Sequence, residues 1–259
     1  FFRTDAWRRR RGAGRARILT DGGWLVRSVD GRPAATAERA HPAAADVVGR
    51  GAPREVDLVR LRDARDDDEA LQHCIESVVD QLETADDPDK PGMLLGKIQS
   101  GKTRAFLGII ARAFDRDFDI AIVLTKGTKT LASQTVKRIG RDFKESIDDD
   151  LIVLFDIMST PEALTKAELR RKIIIVAKKE VNNLSRIQAL FDEKYPQLKE
   201  KKVLLVDDEA DMASVRFAKK KGESDYDQGT IANQMDRLRD TLSGIAFLQV
   251  TATPYALYL

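Results

Sequence analysis

Cysteine occurs once in the 259 residues, at Cys74, and histidine only twice, at His41 and His73. A single thiol excludes a disulfide framework within the chain and fits a reducing compartment. With no matching His and Asn set, Cys74 reads as a small helix residue rather than a nucleophile, and no nuclease constellation is visible among the acids and histidines. Long apolar runs are also lacking. None approaches the ~20 residues that span a bilayer, and the start has no signal-peptide h-region. The expected location is the cytoplasm, with no membrane partner. An excess of one charge is missing too: 44 Lys and Arg against 42 Asp and Glu leave +2, so any nucleic-acid surface must be a local patch. What is present is 42% hydrophobic content, enough for one sizeable core with at most a small appendage.

Lysine is absent before Lys90 and frequent after it. Residues 1–54 are instead rich in Arg, Ala and Gly, with no sustained helical or strand period, and little packed structure is expected there. A basic arm that grips nucleic acid, a disordered linker and a non-native extension are three readings of this segment. The chain opens on Phe1 and so reads as a fragment or a processed product. Residues 55–89 form a helical lead-in, because Leu71, Ile75, Val78, Val79 and Leu82 recur at helical spacing before an Asp-Asp-Pro-Asp turn at 86–89.

From 90 to 259 strands and helices alternate. Strands are predicted at 93–97, 119–125, 151–156, 172–177, 202–208 and 245–253, and helices at 102–114, 130–143, 180–194 and 227–243, the last ending at a Gly244 cap. Strands that are apolar throughout belong to a parallel sheet covered on both faces. The expected fold is therefore a doubly wound, mostly parallel α/β domain, with ligands at the carboxyl ends of the strands.

Two motifs carry chemistry. "GKIQSGKT" places Gly96, four residues, then Gly101, Lys102 and Thr103 between a strand and a helix, which is the phosphate-loop pattern in its proper context. The glycines let backbone N–H groups face phosphates, Lys102 reaches the β and γ phosphates, and the Thr103 hydroxyl ligates Mg2+. Gln99, Ser100 and Arg104 complete the expected nucleotide-binding set. "LLVDDEAD" ends an apolar strand in acids, with Asp208 expected to hold the metal and Glu209 to orient and deprotonate the attacking water.

Asp208-Glu209-Ala210-Asp211 resembles the DEAD signature of superfamily-two helicases, and Thr251-Ala252-Thr253 resembles their third motif. "LTKGTKTLASQT" is similar to the motif after their second strand. The resemblance covers residues 90–259, and "GKIQSGKT" with "TATPYA" also resembles a bacterial subgroup related to endonuclease Z-one domain proteins, found near restriction and phage-defence genes. It implies a RecA-like P-loop NTPase domain that uses ATP and Mg2+. It further implies that Asp211 contacts the Thr251 and Thr253 hydroxyls to couple hydrolysis to movement, and that Thr125, Lys126, Lys129, Gln134, Lys178 and Lys179 meet a nucleic-acid backbone, DNA favoured over RNA. Lys219 to Lys221 form a further basic candidate in a surface loop.

A motor of that superfamily has a second RecA-like domain, whose arginines complete the ATP site and contribute ~10³ to 10⁵ in rate. Because the chain ends at Leu259, just after the third motif, the expectation is slow hydrolysis and no unwinding, with the other motor domain and accessory domains as missing partners. Two functions compete. One is the first motor domain of a nucleic-acid-dependent ATPase, a helicase or translocase of a restriction or phage-defence system. The other is a nucleotide-gated switch that orders a surface for a protein partner.

Overall fold

The computed structural model describes residues 17–18, 24–27, 61, 67–84, 91–96, 101–126, 129–159, 163–210 and 225–252. Eight strands form one sheet: β1 (Arg17–Ile18), β2 (Trp24–Arg27), β3 (Gly92–Gly96), β4 (Ile120–Thr125), β5 (Ile152–Asp156), β6 (Lys172–Lys178), β7 (Lys202–Asp208) and β8 (Gly244–Thr251). Their order across the sheet is β1-β2-β3-β8-β7-β4-β6-β5. The six strands from β3 to β5 are mutually parallel, and β1 and β2 add an antiparallel edge. All six residues of β4 are buried, as are the five central residues of β6 and of β7, and apart from Thr125 and Asp207 at the carboxyl ends these are apolar on both faces.

Side chains alternate between those faces. Leu204 and Val206 of β7, Ala121 and Val123 of β4 and Leu248 and Val250 of β8 pack with the helices α1 (Glu69–Glu83), α2 (Lys102–Asp115) and α3 (Lys129–Asp142). Val203 and Leu205, Ile122 and Leu124, and Phe247 face the other way, against α5 (Val181–Ala189) and α6 (Asp225–Thr241). A short α4 (Lys144–Asp148) follows α3. The expected doubly wound, mostly parallel α/β fold is the one observed.

The lead-in helix is part of this core. Its Leu71, Cys74, Ile75, Val78 and Val79 are buried, and Asp68 caps it by accepting from the Leu71 N–H at 2.7 Å. Along its exposed side a ladder of ion pairs joins it to α2 and the turn after it: Asp67 with Arg104, Glu76 with Arg112 at 2.8 Å, and Asp80 with Arg116 at 3.1 Å. The pairing runs forward along both helices, so α1 is tied to α2 at both ends.

Several elements differ from the sequence expectation. Within residues 1–54 two short strands are present, and β2 pairs with β3 in the register Trp24↔Gly96 to Arg27↔Met93. Four residues are too few to stand out as a period, and their partner lies about 70 positions away. The helix expected over 180–194 stops at Ala189 and continues as a wider π turn over Leu190–Lys194. Gly244 is not a helix cap: α6 ends at Thr241, and Gly244 opens β8 opposite Lys202. The turn at 86–89 and Lys219 to Lys221 lie outside the described residues. Among the described residues no helix is long and apolar enough to cross a membrane.

Candidate functional site

The strand order decides what meets what. β8 lies between β3 and β7, so the glycine-rich turn after β3 and the acids after β7 flank the end of the threonine-bearing strand. All three open at the carboxyl end of the sheet, where ligands bind in open α/β folds. Gly96 closes β3, and Gly101 stands just before α2 with φ of 78°. A Cβ at Gly101 would meet nothing closer than the Arg104 Cβ at 3.9 Å, so glycine is required there by backbone conformation rather than by space. Gly101 offers no capping side chain to α2, and its C=O accepts from the Ala105 N–H at 3.1 Å. Lys102, Thr103 and Arg104 follow in the first turn, all half-buried. Gln99 and Ser100 lie outside the described residues. Arg104, expected at the nucleotide, turns its Nε to the buried carboxylate of Asp67. That pairing makes it a tie between α2 and the start of α1.

β7 ends in Asp207 and Asp208, and Glu209 turns away from the strand with φ of 57°, in the left-handed region that a non-glycine residue rarely occupies. The turn is held by the Ala210 N–H, which donates to the Val250 C=O of β8 at 3.0 Å. By strand alternation Asp208 continues the Leu204 and Val206 face, the α2 side. Its carboxyl is pushed up to about 6, first by burial and then by the charges of Glu209 and Asp207, with the Glu209 backbone and the Lys102 ammonium pulling the other way. Lys102 and Asp208, 106 positions apart in sequence, therefore feel each other's charge.

Asp207 faces the opposite side and is fully buried, where it pairs with the ammonium of Lys179. Lys179 was expected on a nucleic-acid backbone. Its side chain is only 2% exposed, so in this arrangement it serves the interior instead. Lys178 donates to Glu180 Oε2 at 2.6 Å and stays partly exposed. Lys126 Nζ lies 3.5 Å from Glu209 Oε2, which brings a predicted nucleic-acid contact against the predicted water-orienting acid. Gln134 is exposed on α3, and Lys129 begins that helix. Thr125, another predicted backbone contact, is buried at the end of β4. Thr251 is buried on the α6 face of β8, while Asp211 and Thr253 lie outside the described residues.

Asp208 at the end of β7 and Thr103 in the first turn of α2 carry hard oxygen donors of the kind a divalent cation takes, whereas Asp207 is spent on Lys179 on the other face. No group of three or more His, Cys, Asp or Glu side chains that could hold a metal forms among the described residues. Sites that share Mg2+ with a phosphate ligand use one or two carboxylates rather than a full protein cage. A cleft of 280 Å³ lined by Phe118, Lys202, Arg239 and Gly244 sits at the opposite, amino end of β7 and β8, away from these residues.

No protein-family model and no curated protein matches the sequence. A solved structure does: a DUF1998 helicase, MrfA, bound to DNA and AMPPNP, at 18% identity and a TM-score of 0.54. The match covers 79% of this chain and 27% of that one, so the chain spans about a quarter of its length. This similarity, with the strand order, shows that the chain shares the parallel α/β fold found in that helicase.

Sequence reasoning missed the Asp207–Lys179 pair and the true setting of Thr125. Parity along "KVLLVDD" already sends consecutive aspartates to opposite faces. Only the register of β4 between β6 and β7 reveals which lysine answers the inner one.

Proposed function

We propose that the chain is the Mg-ATP-binding motor domain of a nucleic-acid-dependent ATPase of helicase type. The observation that carries this is that the strand order sets Lys102, at the start of the helix after β3, and Asp208, at the end of β7, at the same carboxyl end of the sheet and on the face that α2 covers. The bound state of MrfA, DNA with AMPPNP, supports an adenine nucleotide as ligand and DNA rather than RNA as polymer.

In this reading Gly101 bends the chain so that the N–H groups of the first turn of α2 face the phosphates, and Lys102 neutralises their charge. Thr103 and Asp208 hold the divalent cation, which when bound supplies charge neutralisation at the transferred phosphoryl group. Glu209 orients the attacking water and takes its proton. Gln99, Ser100 and Gly96 complete the phosphate loop. Asp211, Thr251 and Thr253 couple the site to the polymer surface, where Lys126, Lys129, Gln134 and Lys178 bind phosphates with little base readout.

The test is steady-state ATP hydrolysis by the longer parent open reading frame, which would supply the second motor domain, with and without single- and double-stranded DNA and RNA, beside a Lys102→Ala control. Stimulation by DNA that is lost in the control and falls as salt rises is the expected result. Turnover indifferent to every polymer would sink the motor assignment and leave a nucleotide-gated switch.

A further inference from the structure

Thr125 stands where a nucleic-acid contact was expected, yet it is only 3% exposed. Among the described residues its buried Oγ1 finds no hydrogen-bond partner. A buried hydroxyl that has given up water and gained nothing is unfavourable, and such exceptions in a folded chain call for a cause. The position supplies one. Val123 pairs with Val206 and Leu124 with Asp207 in the parallel register of β4 and β7, so Thr125 falls level with Asp208 in the neighbouring strand. The faces agree as well: Ala121 and Val123 share the α2 side with Leu204 and Val206, and Thr125 and Asp208 continue those two rows. A buried hydroxyl and the Asp208 carboxyl thus stand on adjacent strands on the face that carries α2.

The backbone around Thr125 is fixed. Its C=O accepts from the Lys179 N–H at 2.8 Å, and Lys179 is itself anchored through Asp207. The hydroxyl is therefore set in a rigid frame, with its own polar valence unspent. A serine or threonine hydroxyl can donate once and accept twice, which suits a water or phosphate oxygen beside a cation.

We infer that Thr125 belongs to the nucleotide site: its hydroxyl hydrogen-bonds the oxygen shell of the divalent cation and phosphates held by Asp208, and it does not touch nucleic acid. The inference rests on the nucleotide assignment above and adds a residue to it. Outer partners that orient a metal's ligands typically change metal affinity by about 10- to 100-fold when removed.

The experiment follows the binding of a fluorescent ATP analogue to the chain as Mg2+ is titrated, together with melting temperature and DNA affinity, for Thr125→Val, Thr125→Ser, Asp208→Asn and Lys102→Ala. In Thr125→Val the Mg2+ midpoint is expected to rise about tenfold or more. Its melting temperature without ligand should be unchanged or higher, and its DNA affinity unchanged, while Thr125→Ser restores the midpoint. A midpoint that Asp208→Asn moves and Thr125→Val leaves alone overturns the inference but keeps the nucleotide site. Weaker DNA binding in Thr125→Val with an unmoved midpoint assigns the residue to nucleic acid and overturns it too, as does a marked fall in melting temperature, which reveals a structural partner. If neither Asp208→Asn nor Lys102→Ala alters analogue binding, the nucleotide assignment itself fails.

Discussion

Replacing Asp208 by Asn should stabilise the ligand-free fold, and the gain should depend on pH. The Asp208 carboxyl is raised from 3.8 to about 6 by burial and by the charges of Glu209 and Asp207. Between those values the folded state keeps a proton that the unfolded chain has lost, so stability falls as pH rises through the interval and the full penalty is present above about 6. At 1.36 kcal/mol per pH unit the rise corresponds to about 3 kcal/mol, an upper value because Asn still buries an amide. At pH 7.5 Asp208→Asn should therefore be more stable by about 1–3 kcal/mol, which for a chain of this size is a rise in melting temperature of about 3–9 °C. Near pH 4 the difference should vanish. Thermal melts of both proteins at the two pH values, without nucleotide or divalent cation, measure it. An Asn variant that is less stable at pH 7.5, or a gain that persists at pH 4, would refute the claim that Asp208 is a strained, cation-seeking carboxylate. Adding Mg2+ and nucleotide should reverse the ranking, since only the wild type regains its partner.

Three further outcomes follow from the same geometry. Lys179→Met should cost about 3–5 kcal/mol in a denaturant titration, because it removes the buried ammonium that pairs with the fully buried Asp207, whereas Lys179→Met with Asp207→Leu should recover most of that loss. Glu209→Gln should retain nucleotide binding and lower polymer-stimulated turnover by about 10²- to 10⁴-fold, measured as the split between nucleotide affinity and rate. Cys74, fully buried and with its thiol pushed up to about 11, should resist a thiol reagent at pH 8 and react only on unfolding, so the sole thiol reports global opening by the rate of labelling.

The parallel core was legible because β4, β6 and β7 are apolar on both faces, a pattern that local composition records directly. The placement of Gly101 and Lys102 at the start of a helix after β3, and of Asp208 at the end of an apolar strand, was legible for the same reason, since both follow from local pattern. What escaped was set by neighbours distant in sequence. Thr125 and Lys179 sit in a motif that suggests a phosphate contact, yet their burial depends on the registers of β4 with β7 and with β6. Arg104 looked like part of the phosphate loop, but the carboxylate that takes its Nε lies 37 positions earlier, at the start of the lead-in helix. The edge strand β2 was hidden for a similar reason, because its partner β3 lies across a long stretch of Arg- and Ala-rich chain. Local pattern thus announces the acids and the glycines, while register decides which polar groups are spent on the interior.

The central claim is that Lys102 and Asp208 belong to one Mg-nucleotide site, and calorimetric titration of the chain with AMPPNP and Mg2+ tests it most directly. Saturable binding at one site per chain, dependent on Mg2+ and lost in Lys102→Ala while that variant keeps the circular dichroism of the wild type, is the predicted result. Absence of binding in the wild type, or binding that Lys102→Ala leaves unchanged, would contradict it.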